Sequence, residues 1–259
     1  EYLLKNPAHK ARLPRMPYKE MQILEENQVW TFLVSSQESP YYALYHLALV
    51  TGMRQGELLG LYWDDINWGR GEIHVQRQMT QLSGQPWRTD TPKTKAGIRS
   101  VLVGESTLQA LREHQQHQKF LKEFAGEDWK EHNLIFTSRV GTPINNSNLL
   151  KDFYKCLEQA GLPKMRFHDL RHTAASMMLN KGIPVFVASK RLGHSKPSVT
   201  MDMYGHLVTS AQKEAAQLMD ELVTPVPVEL PDAGKLHTTA HENQPIWVEN
   251  SKQPPDMGA

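Results

Sequence analysis

The chain has 259 residues, 39 % of them hydrophobic and 22 % charged, with a formal net charge of +1. That length buries a proper core, as one large domain or two small ones. No apolar run approaches the roughly 20 residues that span a bilayer and none resembles a signal peptide, so a cytoplasmic protein is expected; the single cysteine, Cys156, excludes an intrachain disulfide.

The charge is uneven along the chain. Residues 223–259 hold five acids and two bases, a net −3, so the overall +1 leaves residues 1–222 at +4. A mildly basic body permits a phosphate-binding surface without demanding one.

Residues 1–17 are basic and punctuated by Pro7, Pro14 and Pro17, as an interdomain linker is. Tyr18–Phe32 carries a helical pattern. Tyr41–Thr51 is a strongly apolar helix that Gly52 ends, and Arg54–Leu61 begins another. Glu72–Gln78 alternates apolar and polar, as a half-buried strand does, and Ile98–Val103 is a second strand. The polar segment between them reads as a hairpin arm.

Ser106–Phe124 is helical with a His- and Gln-rich solvated face. Asn145–Asn148 caps a helix that runs to Ala160, where Gly161 and Pro163 stop it. Cys156 falls within it and reads as a small buried residue. Helices follow at His168–Leu179, at Pro184–Leu192, from a Ser195–Ser198 cap to Tyr204, and at His206–Leu222. Residues 223–259 hold six of the sixteen prolines, lack periodicity and read as a flexible tail. The count favours a mainly α fold with a small antiparallel sheet.

The chemistry-bearing residues cluster in His168-Asp169-Leu170-Arg171-His172, in Leu192-Gly193-His194 and at Tyr204, with Arg54 far upstream in Thr51-Gly52-Met53-Arg54. Guanidinium offers a fixed fork of donors that matches two phosphate oxygens and keeps its charge near neutral pH. Two such forks, Arg54 and Arg171, would hold a scissile phosphate and stabilise the charge of a pentacovalent transition state. A phenol with a pKa of about 10 needs such neighbours before it attacks. Arg54 also lies near a helix N-terminus, where backbone N–H groups favour anions. Surface salt bridges are the plain alternative for either arginine alone. His168 and His172, at i and i+4, invite a zinc reading, but Asp169 stands where a metalloprotease helix needs Glu, and no clear third ligand follows. No metal is expected. His168 fits a phosphate contact or proton transfer, and His172 a supporting or core position.

Arg54, Lys93, His168 with Arg171, His194 and Tyr204, in that order, resemble the catalytic domain of the tyrosine recombinases, or phage integrases, over roughly residues 15–222. The resemblance implies that Tyr204 is the nucleophile and forms a 3′-phosphotyrosine. It implies that His194 donates to a nonbridging phosphate oxygen and that Glu57 orients Arg54. A hairpin lysine would protonate the leaving 5′-oxygen; Lys93 matches the family's Lys-Thr pair, and Lys95 is the alternative. Lys95 would otherwise contact DNA, and Arg99 DNA backbone phosphate or nothing.

The family's fold is α+β, its partner double-stranded DNA, and its assembly a homo-oligomer, a tetramer on DNA, with no cofactor and no membrane. Family members carry a DNA-clamping domain ahead of the linker, which implies that this chain is a fragment or a processed form. The expected boundaries are linker 1–17, catalytic domain 18–205, helix 206–222 docking on a neighbouring protomer, and tail 223–259. The expected function is site-specific recombination by a mobile-element integrase, working in bacterial cytoplasm and at the nucleoid when bound. A type IB topoisomerase-like relaxing enzyme, a non-catalytic DNA-binding module and, last, a metal hydrolase are the rivals.

Overall fold

The computed structural model describes residues 21–81, 87–92, 94–204 and 209–224. The expected linker (1–17), most of the expected tail, and Lys93 lie outside the described residues. Residues up to Glu214 form one compact unit, and Ala215 onward a second.

The helices of the described residues are α1 (Glu26–Ser35), α2 (Tyr42–Thr51), α3 (Gln55–Leu59), α4 (Glu105–Ala125), α5 (Asn146–Gln159), α6 (Asp169–Asn180), α7 (Val185–Leu192), α8 (Pro197–Tyr204) and α9 (Thr209–Val223). The strands are β1 (Ile66–Asn67), β2 (Glu72–Val75), β3 (Gln78–Thr80), β4 (Arg88–Asp90) and β5 (Arg99–Leu102). The domain is mainly α with small antiparallel sheets, as expected. One sheet has the order β1-β2-β5 and sets Ile73 opposite Val101 and Val75 opposite Arg99. The other pairs β3 with β4 and forms the base of the hairpin arm.

α2 is the hub. Leu44, Leu47 and Ala48 are buried on a helix apolar nearly all round, so it packs on several sides, against α4 and α6 among others. Around it Phe32, Tyr45, Phe153 and Phe167 interlock, with ring centroids 5.4–5.7 Å apart for the close pairs. Each such pair contributes about 0.5–1.5 kcal/mol beyond its buried area. Cys156 is buried in α5 beside Asp152, and burial, with that carboxylate, pushes its thiol up to about 11.

Two expectations shift. Among the described residues the first helix is Glu26–Ser35 rather than Tyr18–Phe32: residues 21–25 are not helical, Glu25 is extended, and the Leu24 amide donates to Thr173 Oγ1 of α6 at 3.1 Å. The strand expected over Glu72–Gln78 breaks into β2 and β3. At the break, Gln76 Nε2 donates to Asp65 Oδ1 at 2.8 Å, and Arg77 pairs with the same carboxylate.

α9 follows close to the expected span and carries Leu218, Met219, Leu222 and Val223 exposed in the second unit.

Candidate active site

Two glycine turns build the site. α2 ends at Gly52 and α7 at Gly193, both in the left-handed region at φ +64 and +73. Glycine carries no steric penalty there. Each turn delivers a chemical group just after it, Arg54 in one case and His194 in the other. Gly52 also makes room for α7: a Cβ there would sit 2.5 Å from Leu192 Cδ2.

Arg171 joins the turns. It lies on α6, 5 % exposed, and its Nη1 donates to Gly52 O and to Leu192 O, both at 2.7 Å. Donors this close to two carbonyls fix the guanidinium and both turns together. Small residues on the facing helices, Ala174, Ala175 and Ala188, are buried and let α6 and α7 approach.

Arg54 stands at the N-cap of α3 with its side chain 40 % exposed. Glu57, one turn on and 1 % exposed, accepts from Arg54 Nη1 at 2.8 Å and from the Arg54 amide at 3.0 Å. Burial alone would raise the Glu57 carboxyl, but hydrogen bonding and charge from Arg99 and Arg54 outweigh it and hold it low. Glu57 is therefore the ionised anchor that orients Arg54.

His168 sits at the N-cap of α6, its ring edge-on to His172 at a centroid distance of 5.1 Å. Burial first, then His172 and the Arg171 and Arg54 guanidiniums, push His168 down to about 4 against the pull of Asp169. The residue as a whole is exposed. His172 is buried and also lowered, chiefly by burial.

His194 places Nδ1 2.8 Å from the Thr200 hydroxyl of α8. Burial, then Arg171, Arg54 and Arg99, lower it to about 4. Both imidazoles are thus neutral at pH 7 inside a ring of guanidiniums. Guanidinium and imidazole donors gathered in this way suit an anion such as a phosphodiester.

Tyr204 is the last residue of α8, ten after His194; its side chain, like that of Lys95, lies outside the described residues. Arg99, expected on the DNA-contacting surface, is only 7 % exposed. Its guanidinium is engaged internally: Nη2 with Glu57 at 2.9 Å, Nε with Arg191 O at 2.7 Å and Nη1 with Gly97 O at 3.1 Å.

Two residues had no sequence signal. Thr200 is fully buried against His194. Arg191 donates to Leu102 O of β5 at 2.8 Å and to Val50 O of α2 at 3.0 Å. Such carbonyl contacts depend on the fold, which local sequence does not encode.

Fold and site together define a mainly α domain with a small antiparallel sheet and a cluster of arginines and histidines. The chain belongs to the phage integrase family, whose sequence model matches residues 20–210. It is 34 % identical over 238 residues to a XerC-like tyrosine recombinase of Caldanaerobacter subterraneus subsp. tengcongensis, covering 85 % of this chain and 61 % of that protein. It is 30 % identical over 225 residues to the ICEBs1 integrase of Bacillus subtilis, covering 86 % and 61 %. The chain therefore spans about three fifths of the length of these relatives.

The Tn1549 transposon integrase, solved in complex with a circular intermediate DNA, shares the fold at a TM-score of 0.67 and 23 % identity, over 79 % of this chain and 68 % of that one. The XerA recombinase does so at 0.59 and 22 %, over 80 % and 66 %. Among the described residues no helix is long and apolar enough to cross a membrane.

Proposed function

We propose that this chain is the strand-transfer domain of a site-specific tyrosine recombinase, an integrase of a mobile element acting on double-stranded DNA. The observation that carries the reading is the shared environment of Arg54, Arg171, His168 and His194, from which α8 runs to Tyr204.

In the reaction, Arg54 and Arg171 hold the nonbridging oxygens of the scissile phosphate, and neutral His194 donates through Nε2. The Tyr204 oxygen bonds to phosphorus, and its proton passes to the neutral His168 imidazole. The bond from phosphorus to the 5′-oxygen breaks, and that oxygen takes a proton from the hairpin lysine, Lys93 with Lys95 as the alternative. The product is a 3′-phosphotyrosine and a free 5′-hydroxyl. The phosphodiester energy stays in the protein–DNA bond, so a second strand's hydroxyl reseals it by the reverse steps. Guanidinium charge does the work of a metal here, and the chemistry calls for no cofactor.

The working form in this reading is a homo-oligomer, a tetramer on paired DNA sites, at the bacterial nucleoid. The exposed Leu218 and Leu222 of α9 suit docking on a neighbouring protomer. Deleting residues 206–222 should then abolish DNA-dependent multimerisation.

The test of the chemistry is a nicked duplex pool, randomised at its core, whose cleaved end diffuses away and traps the intermediate. The unmutated chain should give a denaturation-resistant protein–DNA band, and Tyr204→Phe should give none while still binding DNA. A band from Tyr204→Phe equal to that of the unmutated chain would sink the proposal.

A further inference from the structure

Arg99 is built into the site in a way that DNA contact does not explain. Its backbone is fixed in β5, paired with Val75 of β2. Its guanidinium reaches Glu57, 42 positions earlier, and the Arg191 carbonyl, 92 positions later. The first partner orients Arg54, and the second lies three residues before His194. Gly193 leaves the space for this reach: a Cβ there would stand 2.7 Å from Arg99 Nη1 and 2.9 Å from Cζ. A surface phosphate ligand needs none of this.

We propose that Arg99 is a positioning residue for phosphate engagement, setting Arg54 through Glu57 and the His194 turn through the Arg191 carbonyl. The inference deepens the strand-transfer reading and rests on it. It assigns Arg99 an effect on charge stabilisation at the nonbridging oxygens rather than on DNA affinity. It also ties the strand that follows the hairpin to both turns.

The experiment uses duplexes enriched from the randomised nicked pool by the unmutated chain. Adduct formation is timed at saturating DNA for the unmutated chain, Arg99→Ala, Arg99→Lys and Arg54→Ala. Each is run on an ordinary scissile phosphate and on a methylphosphonate, in which a methyl group replaces one nonbridging oxygen and removes the charge. Misplacement of a reacting group by about 1 Å costs up to roughly a hundredfold in rate. Arg99→Ala should therefore be slower by about 10- to 100-fold on the ordinary phosphate, with DNA affinity unchanged. On the methylphosphonate its deficit should shrink, as should that of Arg54→Ala. Arg99→Lys should regain part of the rate, because its ammonium keeps the Glu57 pair and loses the second anchor. Equal deficits on both substrates, or a loss residing in DNA affinity, would overturn the proposal.

A second measurement needs no cleavage. Melting of Arg99→Ala, Glu57→Gln and the double variant should be non-additive, the double losing no more than the worse single variant. Additive losses would overturn the Glu57 connection. If the unmutated chain forms no adduct with any duplex, the strand-transfer reading fails, while this cycle still decides whether Arg99 holds Glu57.

Discussion

Gly193→Ala probes the tightest point of the site. The residue has φ +73, a left-handed conformation that costs an L side chain roughly 1–2 kcal/mol. The added Cβ would lie 2.7 Å from Arg99 Nη1, 2.9 Å from Cζ and 3.0 Å from Ala96 O. The Ala96 carbonyl yields by a few tenths of an ångström. The guanidinium has to move away, yet it is held by Glu57, Arg191 O and Gly97 O. Losing one charge-assisted bond costs about 1.5–3 kcal/mol. The total is roughly 2.5–5 kcal/mol, a large share of the 5–15 kcal/mol that holds a typical domain. With a urea slope of about 3 kcal/mol per molar, the unfolding midpoint should fall by about 1 M. In an Arg99→Ala background the same substitution should cost only the backbone part, about 1–2 kcal/mol. An unchanged midpoint, or an equal loss in both backgrounds, would refute the reasoning.

Arg171→Lys ends one bond short of the Nη1 position, so it should lose at least one of the two carbonyl bonds and cost about 1.5–3 kcal/mol by urea unfolding; full retention of stability would contradict the bracing role. Thr200→Val removes the partner of His194 Nδ1 at nearly constant volume, so adduct formation should slow while Thr200→Ser restores it; a Val variant as fast as the unmutated chain would dismiss Thr200. Imidazoles in an unfolded chain titrate near about 6.5, whereas those of His168 and His194 are held down to about 4. From pH 6.5 down to 4 the unfolded state therefore binds more protons, so stability is complete above that window and is lost as pH falls through it. Melting followed across this range should decline, and His194→Asn should decline less; a flat profile for the unmutated chain would rule this out.

Local signals were strong where local physics decides. The apolar run before Gly52 marks α2 to within a residue, and Asn145 caps α5 by accepting from the Ser147 amide at 2.8 Å. α7 likewise ends at Leu192 as expected, before the left-handed Gly193, whereas His194 stood out only through the family resemblance. What failed was set by distant partners. The start of α1 depends on a bond across 149 positions to Thr173. Arg99 reads as a polar strand residue pointing outward, and only the return of Glu57 and α7 makes it internal. Periodicity describes which face a residue occupies, not which side chain the fold brings to that face.

The two arginines of the cradle differ in what their removal would mean. Arg171 is 5 % exposed and ties Gly52 O to Leu192 O, so a substitution there loosens the turns that carry Arg54 and His194. A rate loss in Arg171→Ala mixes lost charge with lost geometry, and the two add up in no simple way. Arg54 is 40 % exposed and bonds to Glu57, which Arg99 also holds. Glu57 and its surroundings therefore keep a partner when Arg54 is truncated. Arg54→Ala is thus the cleaner probe of transition-state charge. Its effect should appear in the rate at saturating DNA while the unfolding midpoint stays near that of the unmutated chain.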